Sequence, residues 1–252
     1  MPLFESGGLA LAYDEIAGAG RPVILVHGFA SNRNENWKRL GWYGAFERKG
    51  LRMAAFDARG HGESAKPHDP VEYARDRMVG DVFALMDRLN APRADLVGYS
   101  MGARIVLAAA LAQPDRVPMV IAGGIGGRLF DPAPPGNPMA DAMEVADPAS
   151  IAEPLLRSFR QFAEEQGEDR QALAACGRAP YPPFTREMLS GVRVPTLIVA
   201  GSRDELAGDP AVLAETIPGA RAVTLPGCDH FSAISHGLFK ASVFDFLEGK
   251  LE

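Results

Sequence analysis

The sequence predicts an α/β fold in which helices flank a mainly parallel β-sheet. Short apolar runs rich in β-branched residues alternate with helical patterns, as in chains that build a parallel sheet. Gly or Asp directly follows several of these runs, which indicates sharp turns at one edge of the sheet. The 252 residues are 47% hydrophobic and 23% charged, which is enough to bury one full-sized core.

The apolar runs give the predicted strands in chain order. The first run, from Pro22 to Val26, is continuous and apolar, so we expect a strand that is buried on both faces. Turn residues end later runs: Asp57 follows the second and Gly98 follows the third. The predicted strands are residues 22–26, 51–56, 94–97, 117–122, 196–200 and 222–225.

Helical patterns lie between these strands. Residues 72–89 carry apolar side chains at intervals of three and four, which predicts a helix with one buried face. Residues 101–112 are rich in Ala, Leu and Ile and end before Pro114, so a second helix is expected there. A last helix is predicted over residues 239–247.

The segment from residue 128 to 186 interrupts the alternation. It opens and ends in proline-rich stretches and predicts only helices, at residues 150–165 and 170–176. We therefore predict a core formed by residues 1–127 and 187–252, with residues 128–186 inserted as a helical lid (cap). A crossover without function is the alternative. Ligands bind at the carboxyl ends of parallel strands, which favours the lid.

Several apolar side chains of this segment are candidates for lining a pocket. At helical spacing such residues are more often part of a core than of a binding site. The candidates are Phe130, Met139, Met143, Leu155, Phe159 and Phe162.

Composition excludes several classes of partner. The net charge of −6 opposes nucleic-acid binding, which needs a basic face. No apolar run is long enough to span a bilayer, and the first residues lack the basic and apolar regions of a signal peptide. Cys176 and Cys228 are too few for a disulfide framework and are expected as buried, reduced thiols. We expect a cytoplasmic protein with a small-molecule substrate; no oligomeric state is predicted.

The segment Gly98-Tyr99-Ser100-Met101-Gly102 has the pattern G-x-S-x-G between a predicted strand and a predicted helix. In this context the serine sits on a sharp strand-to-helix turn that exposes its hydroxyl. The helix that follows directs free N–H groups and a positive dipole end at developing negative charge. Ser100 is therefore the candidate nucleophile.

A serine hydroxyl needs a base, and His230 is the best candidate of five histidines. It lies in a turn-rich loop directly after the last predicted strand. His27 and His61 are each next to glycine and are interpreted as turn or loop residues. His68 and His236 do not follow a strand.

The base needs a buried acceptor that fixes its tautomer, and Asp204 follows the fifth predicted strand. Asp209 is the rival, although it is also placed to cap a helix starting at Pro210. Asp229 adjoins His230 in sequence, so its side chain is expected to point elsewhere. The chain order Ser, Asp, His is typical of G-x-S-x-G hydrolases.

Ester chemistry also requires N–H donors for a tetrahedral oxyanion. The amide of Met101, directly after the nucleophile, is one candidate. The second donor is expected from residues 27–30, in the loop after the first long strand.

Taken together, these motifs resemble the α/β-hydrolase superfamily, in its serine-nucleophile branch of esterases and lactonases. The resemblance covers the chain from about residue 10 onward except the lid, and implies that Phe29 supplies the second oxyanion N–H. It also implies that the loop from Asp57 to Ser64 is structural, and it requires no metal or other cofactor. The matching motifs are His27-Gly28-Phe29, Asp57 to Ser64, Gly98 to Gly102, Gly201-x-x-Asp204 and Gly227-x-x-His230.

The expected function is hydrolysis of the carboxylic ester bond of a small to medium apolar substrate through an acyl-enzyme intermediate. A lactonase or a carbon–carbon bond hydrolase with the same triad is an alternative, and so is a ligand receptor that has lost turnover. Epoxide hydrolases and dehalogenases of this superfamily use an aspartate nucleophile, so Ser100 argues against both.

Overall fold

The computed structural model describes residues 1–132 and 135–251. Ala133 and Pro134 of the predicted lid, and Glu252, lie outside the described residues. Within the described part of the chain, eight strands form one sheet in the order β1-β2-β4-β3-β5-β6-β7-β8. The strands are β1 (Leu3–Ser6), β2 (Leu9–Ile16), β3 (Ala19–Val26), β4 (Leu51–Phe56), β5 (Asp95–Tyr99), β6 (Val120–Gly123), β7 (Thr196–Gly201) and β8 (Arg221–Leu225).

Helices connect and cover the strands, and a short π-helix, Asn34–Lys38, lies between β3 and the first α-helix. The α-helices are α1 (Trp42–Arg48), α2 (Arg75–Arg88), α3 (Met101–Ala112), α4 (Pro138–Glu144), α5 (Pro154–Glu165), α6 (Arg170–Gly177), α7 (Arg186–Leu189), α8 (Pro210–Ala214) and α9 (Gly237–Leu247).

The six strands from β3 to β8 pair in parallel, which confirms the predicted fold class. Strands β1 and β2 add an antiparallel edge that the sequence analysis did not predict. β1 is four residues long, and the apolar start of β2, Leu9 to Tyr13, contains two alanines and leads into Asp14 and Glu15, so neither shows the β-branched run of the central strands. Their half-exposed edge position explains the weak signal, because only one face needs apolar side chains.

The side chains of β3 show how the sheet divides the core into two layers. Val23 and Leu25 face one layer, whereas Ile24 and Val26 face the other, as the alternation of a strand requires. Helices α1 and α9 cover the first face, and α2, α3 and α8 cover the second. The central strands β5, β6 and β7 are buried along their whole length between these layers.

Three predicted elements begin three or four residues later than expected. The strand predicted at 117–122 begins at Val120, because Pro118 has no N–H to donate to the ladder. The helix predicted at 72–89 begins at Arg75, after a separate 3₁₀ turn. The helix predicted at 150–165 begins at Pro154, where the Glu153 carboxylate accepts hydrogen bonds from two free amides.

The 128–186 segment contains helices α4, α5 and α6, which pack together around their own apolar cluster. Phe29 and Leu206, from loops of the core, pack against this cluster. The buried carboxylate of Glu168 accepts hydrogen bonds from the Asn32 side chain (3.0 Å) and the Gly62 amide (2.8 Å). Apolar packing and polar bonds therefore both hold the segment against loops at the carboxyl edge of the sheet.

Two further sequence predictions concern cysteines and membranes. Cys176 and Cys228 are both buried free thiols, as expected. Burial raises the pKa of the Cys176 thiol to about 12. In residues 1–132 and 135–251, no helix combines the length and the apolarity needed to cross a bilayer.

Candidate active site

Ser100 lies at a tight turn between the end of β5 and the start of α3, as predicted. Its backbone has φ +54° and ψ −109°, a strained conformation for a residue with a side chain. Such strain persists only where the surrounding structure enforces it, and it is typical of functional sites. The turn places the serine at the first free N–H groups of α3.

The two glycines of the motif allow this turn because other backbone lies where their side chains would be. A Cβ atom added to Gly98 would lie 2.2 Å from the carbonyl oxygen of Gly102. One added to Gly102 would lie 2.1 Å from the carbonyl oxygen of Val26, in the neighbouring strand. At these two positions α3 therefore lies so close to β3 and β5 that no side chain fits between them.

Gly102→Ala is expected to destabilise the protein by about 3 kcal/mol or more, since the clash is with backbone that cannot rotate away. For a chain of this size, the melting temperature should then fall by roughly 6–12 °C. Gly80→Ala is the matched control: it lies inside α2 with no neighbouring atom within 4 Å of an added Cβ. It should be neutral or slightly stabilising. Equal melting temperatures for the two variants would contradict this account of the motif.

The structure brings the three predicted site residues together at the carboxyl edge of the sheet. The Nε2 atom of His230 lies 2.9 Å from the Ser100 hydroxyl oxygen. The Nδ1 atom of His230 lies 2.9 Å from one oxygen of Asp204. Hydroxyl, imidazole and carboxylate thus form one hydrogen-bonded chain, although the serine precedes the other two residues by more than a hundred positions in sequence.

Asp204 is buried and its carboxylate is held by several donors. One oxygen accepts from the amides of Leu206 (3.1 Å) and Ala207 (2.9 Å) and lies 3.1 Å from Nδ1 of His230, and the other oxygen faces Nδ1 at 2.9 Å. The carbonyl of His230 accepts a hydrogen bond from the hydroxyl of Tyr99, the residue before the nucleophile. Both Asp204 and His230 are therefore held by contacts other than those that join them to each other and to Ser100.

The rival carboxylates have other partners. Asp209 caps α8 by accepting from the Ala211 amide, the role that the sequence analysis gave as its alternative. Asp229 accepts from the amide and the hydroxyl of Ser232, and these bonds lower its pKa. Neither of them contacts the imidazole of the candidate base.

His27 and His61 are fully buried and stay neutral at neutral pH. Burial lowers their pKa values to about 4 and about 3 respectively. Nε2 of His27 accepts from the Ala58 amide (2.9 Å), so its Nδ1 carries the proton and donates to the Gly28 carbonyl (2.7 Å). Nδ1 of His61 donates to the Arg59 carbonyl (3.0 Å). Both histidines order loops at the site, as turn residues should.

The other two histidines, the exposed His68 and the half-buried His236, have partners other than Ser100 and Asp204. His68 faces the carboxylate of Asp169 at 3.0 Å. His236 caps α9, where its ring accepts a hydrogen bond from the Leu238 amide. Of the five histidines, His230 is therefore the one that contacts Ser100.

The loop after β3 lies directly against the nucleophile. A Cβ added to Gly28 would be 3.4 Å from Cβ of Ser100, which is the short end of van der Waals contact, so the backbone of this loop lies next to the serine. The amides of Phe29 and Met101, the predicted oxyanion donors, have no acceptor among the described residues. Both amides thus remain free to donate to a ligand.

The loop from Asp57 to Ser64 is held in place by hydrogen bonds and an ion pair. The buried Asp57 carboxylate accepts from the amides of Arg33 and Glu63 and pairs with the Arg33 guanidinium. Ser64 donates to the Asp57 carbonyl and accepts from the amide of Ala12 in β2. These internal bonds fit the structural role that the resemblance implied for this loop.

An aromatic wall, formed by Phe29, Phe159 and Phe231, stands beside the imidazole of His230. The ring of Phe159 is 6.3 Å from that imidazole, 5.1 Å from Phe231 and 6.2 Å from Phe29. Phe231 was not among the predicted pocket residues, although its position next to His230 in sequence was a signal. Phe130 packs instead against the main core, under the guanidinium of Arg186.

The other predicted pocket residues belong to the apolar cluster of the 128–186 segment. Met143 is fully buried among α4, α5 and α6. Met139, Leu155 and Phe162 are partly buried around the same cluster. In residues 1–132 and 135–251, no group of three His, Cys, Asp or Glu side chains is placed to hold a metal ion.

Comparisons with known proteins agree with this architecture. A family model for the α/β-hydrolase fold matches residues 21–170. The chain is 32% identical over 242 residues to the dihydrolipoyllysine-residue acetyltransferase component of the acetoin cleaving system of Pseudomonas putida. That match covers 90% of this chain but only 63% of the relative.

Two further relatives match over most of their length. The 2-hydroxymuconate semialdehyde hydrolase of Pseudomonas sp. (strain CF600) is 29% identical, covering 92% of this chain and 88% of that protein. The crystal structure of the enol-lactonase from Burkholderia xenovorans LB400 superimposes with a TM-score of 0.75 at 29% identity. The match covers 98% of this chain and 100% of the enol-lactonase chain.

Proposed function

Because the chain belongs to the α/β-hydrolase family, we propose that it is a serine hydrolase that cleaves carboxylic ester bonds through an acyl-enzyme intermediate. The observation that carries the proposal is the hydrogen-bonded chain from Ser100 through His230 to Asp204, with both contacts at 2.9 Å. A hydroxyl in contact with an oriented imidazole is the arrangement that activates a serine nucleophile.

In the first half of the reaction, the oxygen of Ser100 attacks the carbonyl carbon of the ester while Nε2 of His230 takes its proton. The carbonyl oxygen becomes an oxyanion that the amides of Phe29 and Met101 stabilise. The intermediate then collapses: the bond to the alcohol oxygen breaks, and the imidazolium gives its proton to the departing alkoxide. The acyl group stays on the serine.

In the second half, a water molecule attacks the acyl-enzyme and gives a proton to His230. The new tetrahedral intermediate collapses, the bond to the serine oxygen breaks, and the imidazolium returns its proton to that oxygen. Asp204 keeps its charge throughout, and it stabilises the imidazolium and fixes its tautomer. The products are one carboxylic acid and one alcohol.

The aromatic wall supports an apolar substrate of small to medium size. Phe159 of the 128–186 segment, which we propose to be the lid, faces the imidazole together with Phe231 of the core, so a group bound over the triad meets aromatic carbon rather than charge. The relatives named for enol-lactone and semialdehyde substrates give lactone and carbon–carbon cleavage as alternatives with the same triad. A receptor without turnover is a further alternative.

A substrate panel tests the proposal. The purified protein is offered p-nitrophenyl esters of increasing acyl length, an enol-lactone and a vinylogous 1,5-diketone, with hydrolysis followed by absorbance. We expect continuous turnover of the esters with kcat/KM highest for short and medium acyl groups. One equivalent released without further turnover would favour the receptor, and cleavage of the lactone or diketone alone would replace the ester assignment.

A further inference from the structure

We propose that Asn36 is a positioning residue of the oxyanion hole, which it aligns by holding the peptide of Gly28 in one orientation. This inference rests on the proposed function, because it assigns a role in stabilising the oxyanion. The side-chain oxygen of Asn36 accepts a hydrogen bond from the amide of Gly28 at 3.1 Å. Gly28 itself lies directly against the nucleophile, so the bond acts at the site of the reaction.

The connection to catalysis runs through two consecutive peptide units. The Gly28 amide belongs to the first unit, and Asn36 holds it. The second unit carries the Gly28 carbonyl and the Phe29 amide, and Nδ1 of His27 donates to that carbonyl at 2.7 Å. Since the peptide bond is planar, fixing the carbonyl also fixes the direction of the Phe29 N–H. Together the two bonds fix both backbone angles of a residue that has no side chain to restrict them.

The loop needs such bonds because its backbone is strained. Ala30, two residues after Gly28, has φ +59° and is fully buried. The left-handed region is unfavourable for alanine, so the conformation persists only when neighbouring contacts enforce it. The amide of Ser31 adds a weak turn bond to the Gly28 carbonyl at 3.3 Å. Asn36 supplies a contact from outside the turn.

The π-helix Asn34–Lys38 places Asn36 where its side chain reaches the Gly28 amide. Its wide turn, closed by the bond from the Arg39 amide to the Asn34 carbonyl (2.8 Å), directs both Asn36 and Trp37 inward. Single π-turns are frequent at functional sites. The Nδ2 atom of Asn36 is buried without a partner in the described part of the chain. An apolar side chain would avoid that unfavourable burial, so the amide's contribution is the oxygen that faces Gly28.

Asn36→Leu keeps the shape and removes the acceptor. We expect kcat for ester hydrolysis to fall by about 10–100-fold, since a slightly misplaced donor costs less than a missing one. KM should change by less than about threefold. The affinity for phenylboronic acid, which adds to the serine oxygen and places an oxygen in the oxyanion hole, should fall in proportion to kcat. In ¹⁵N-labelled protein, the Gly28 amide should exchange with solvent at least about tenfold faster.

Two controls separate positioning from a general loss of stability. Asn34→Leu makes the same substitution at an exposed site of the same π-helix and should leave kcat and boronate affinity unchanged. Phe46→Leu weakens the buried core and should lower the melting temperature without changing kcat. If Asn36→Leu does not fold, Asn36→Ala is measured with the same readouts.

The outcomes distinguish this inference from the proposed function. If the wild type turns over esters and Asn36→Leu matches it in kcat and boronate affinity, the positioning role is wrong and the serine hydrolase stands. If the wild type neither turns over esters nor binds the boronate, the proposed function fails and the inference fails with it. Unchanged exchange of the Gly28 amide would contradict the hydrogen bond itself.

Discussion

Ser100→Ala is expected to lower kcat/KM for ester hydrolysis by about 10⁴-fold or more while the protein stays folded. The variant loses the oxygen that attacks the carbonyl, and His230 then has no hydroxyl to activate. The residual rate should be that of the oxyanion donors and substrate binding alone, as in other serine hydrolases that lack their nucleophile. Steady-state hydrolysis of the best ester in the panel measures the loss.

The matched control is Ser190→Ala, which changes an exposed serine after α7, at the opposite end of β7 from the site. It should keep wild-type turnover. A fluorophosphonate should label wild type and Ser190→Ala at one serine and leave Ser100→Ala unmodified, as read by peptide mass. If Ser100→Ala keeps more than about one hundredth of the activity, another group is the nucleophile.

The sequence was sufficient to predict the parts of the site that local backbone geometry determines. In the segment from Gly98 to Gly102, both glycines are required because a Cβ added to either would lie 2.2 or 2.1 Å from a carbonyl oxygen, so the pattern itself encodes the turn. Asp204 and His230 follow strands of a parallel sheet, whose carboxyl ends meet at one edge. Strand order was not needed to expect that they converge.

Other parts of the site depend on tertiary packing that no short pattern encodes. Asn36 reaches Gly28 because the chain forms a π-turn, and the sequence from Asn34 to Lys38 does not separate this turn from an ordinary helix. Phe231 joins Phe159 only when α5 lies over the β8 loop. Such contacts depend on how the 128–186 segment sits on the core, and apolar periodicity does not specify this placement.

The edge of the sheet was missed for a similar reason. β2 pairs antiparallel with both β1 and β4, and β1 forms the edge of the sheet. These strands have few buried positions: Phe4 and Ser6 in β1, and Leu11 to Tyr13 in β2. Their contribution to the site is indirect: the Ala12 amide of β2 donates to Ser64, within the loop that positions Asp57 and Arg33. Short strands that are partly polar give only a weak strand pattern in the sequence.

Asp204→Asn is expected to lower kcat by about 10⁴-fold through the tautomer of His230. One oxygen of Asp204 accepts from the amides of Leu206 and Ala207, so the oxygen of an asparagine would take that position. Its NH₂ group would then face Nδ1 of His230, where the second carboxylate oxygen now accepts. That NH₂ group cannot accept from Nδ1, and the other oxygen, 3.1 Å from Nδ1, already accepts from two amides. The imidazole would therefore carry its proton on Nε2 and could not accept one from Ser100.

Asp209→Asn separates this effect from a general loss of charge. Asp209 only caps α8, and asparagine caps a helix about as well, so turnover and melting temperature should both stay at wild-type values. NMR of the ¹⁵N-labelled imidazole gives a readout independent of rate: the proton of the neutral His230 should move from Nδ1 to Nε2 in Asp204→Asn alone. Turnover within about tenfold of wild type in that variant would show that the imidazole is oriented by other contacts, such as the bond from Tyr99 to its carbonyl.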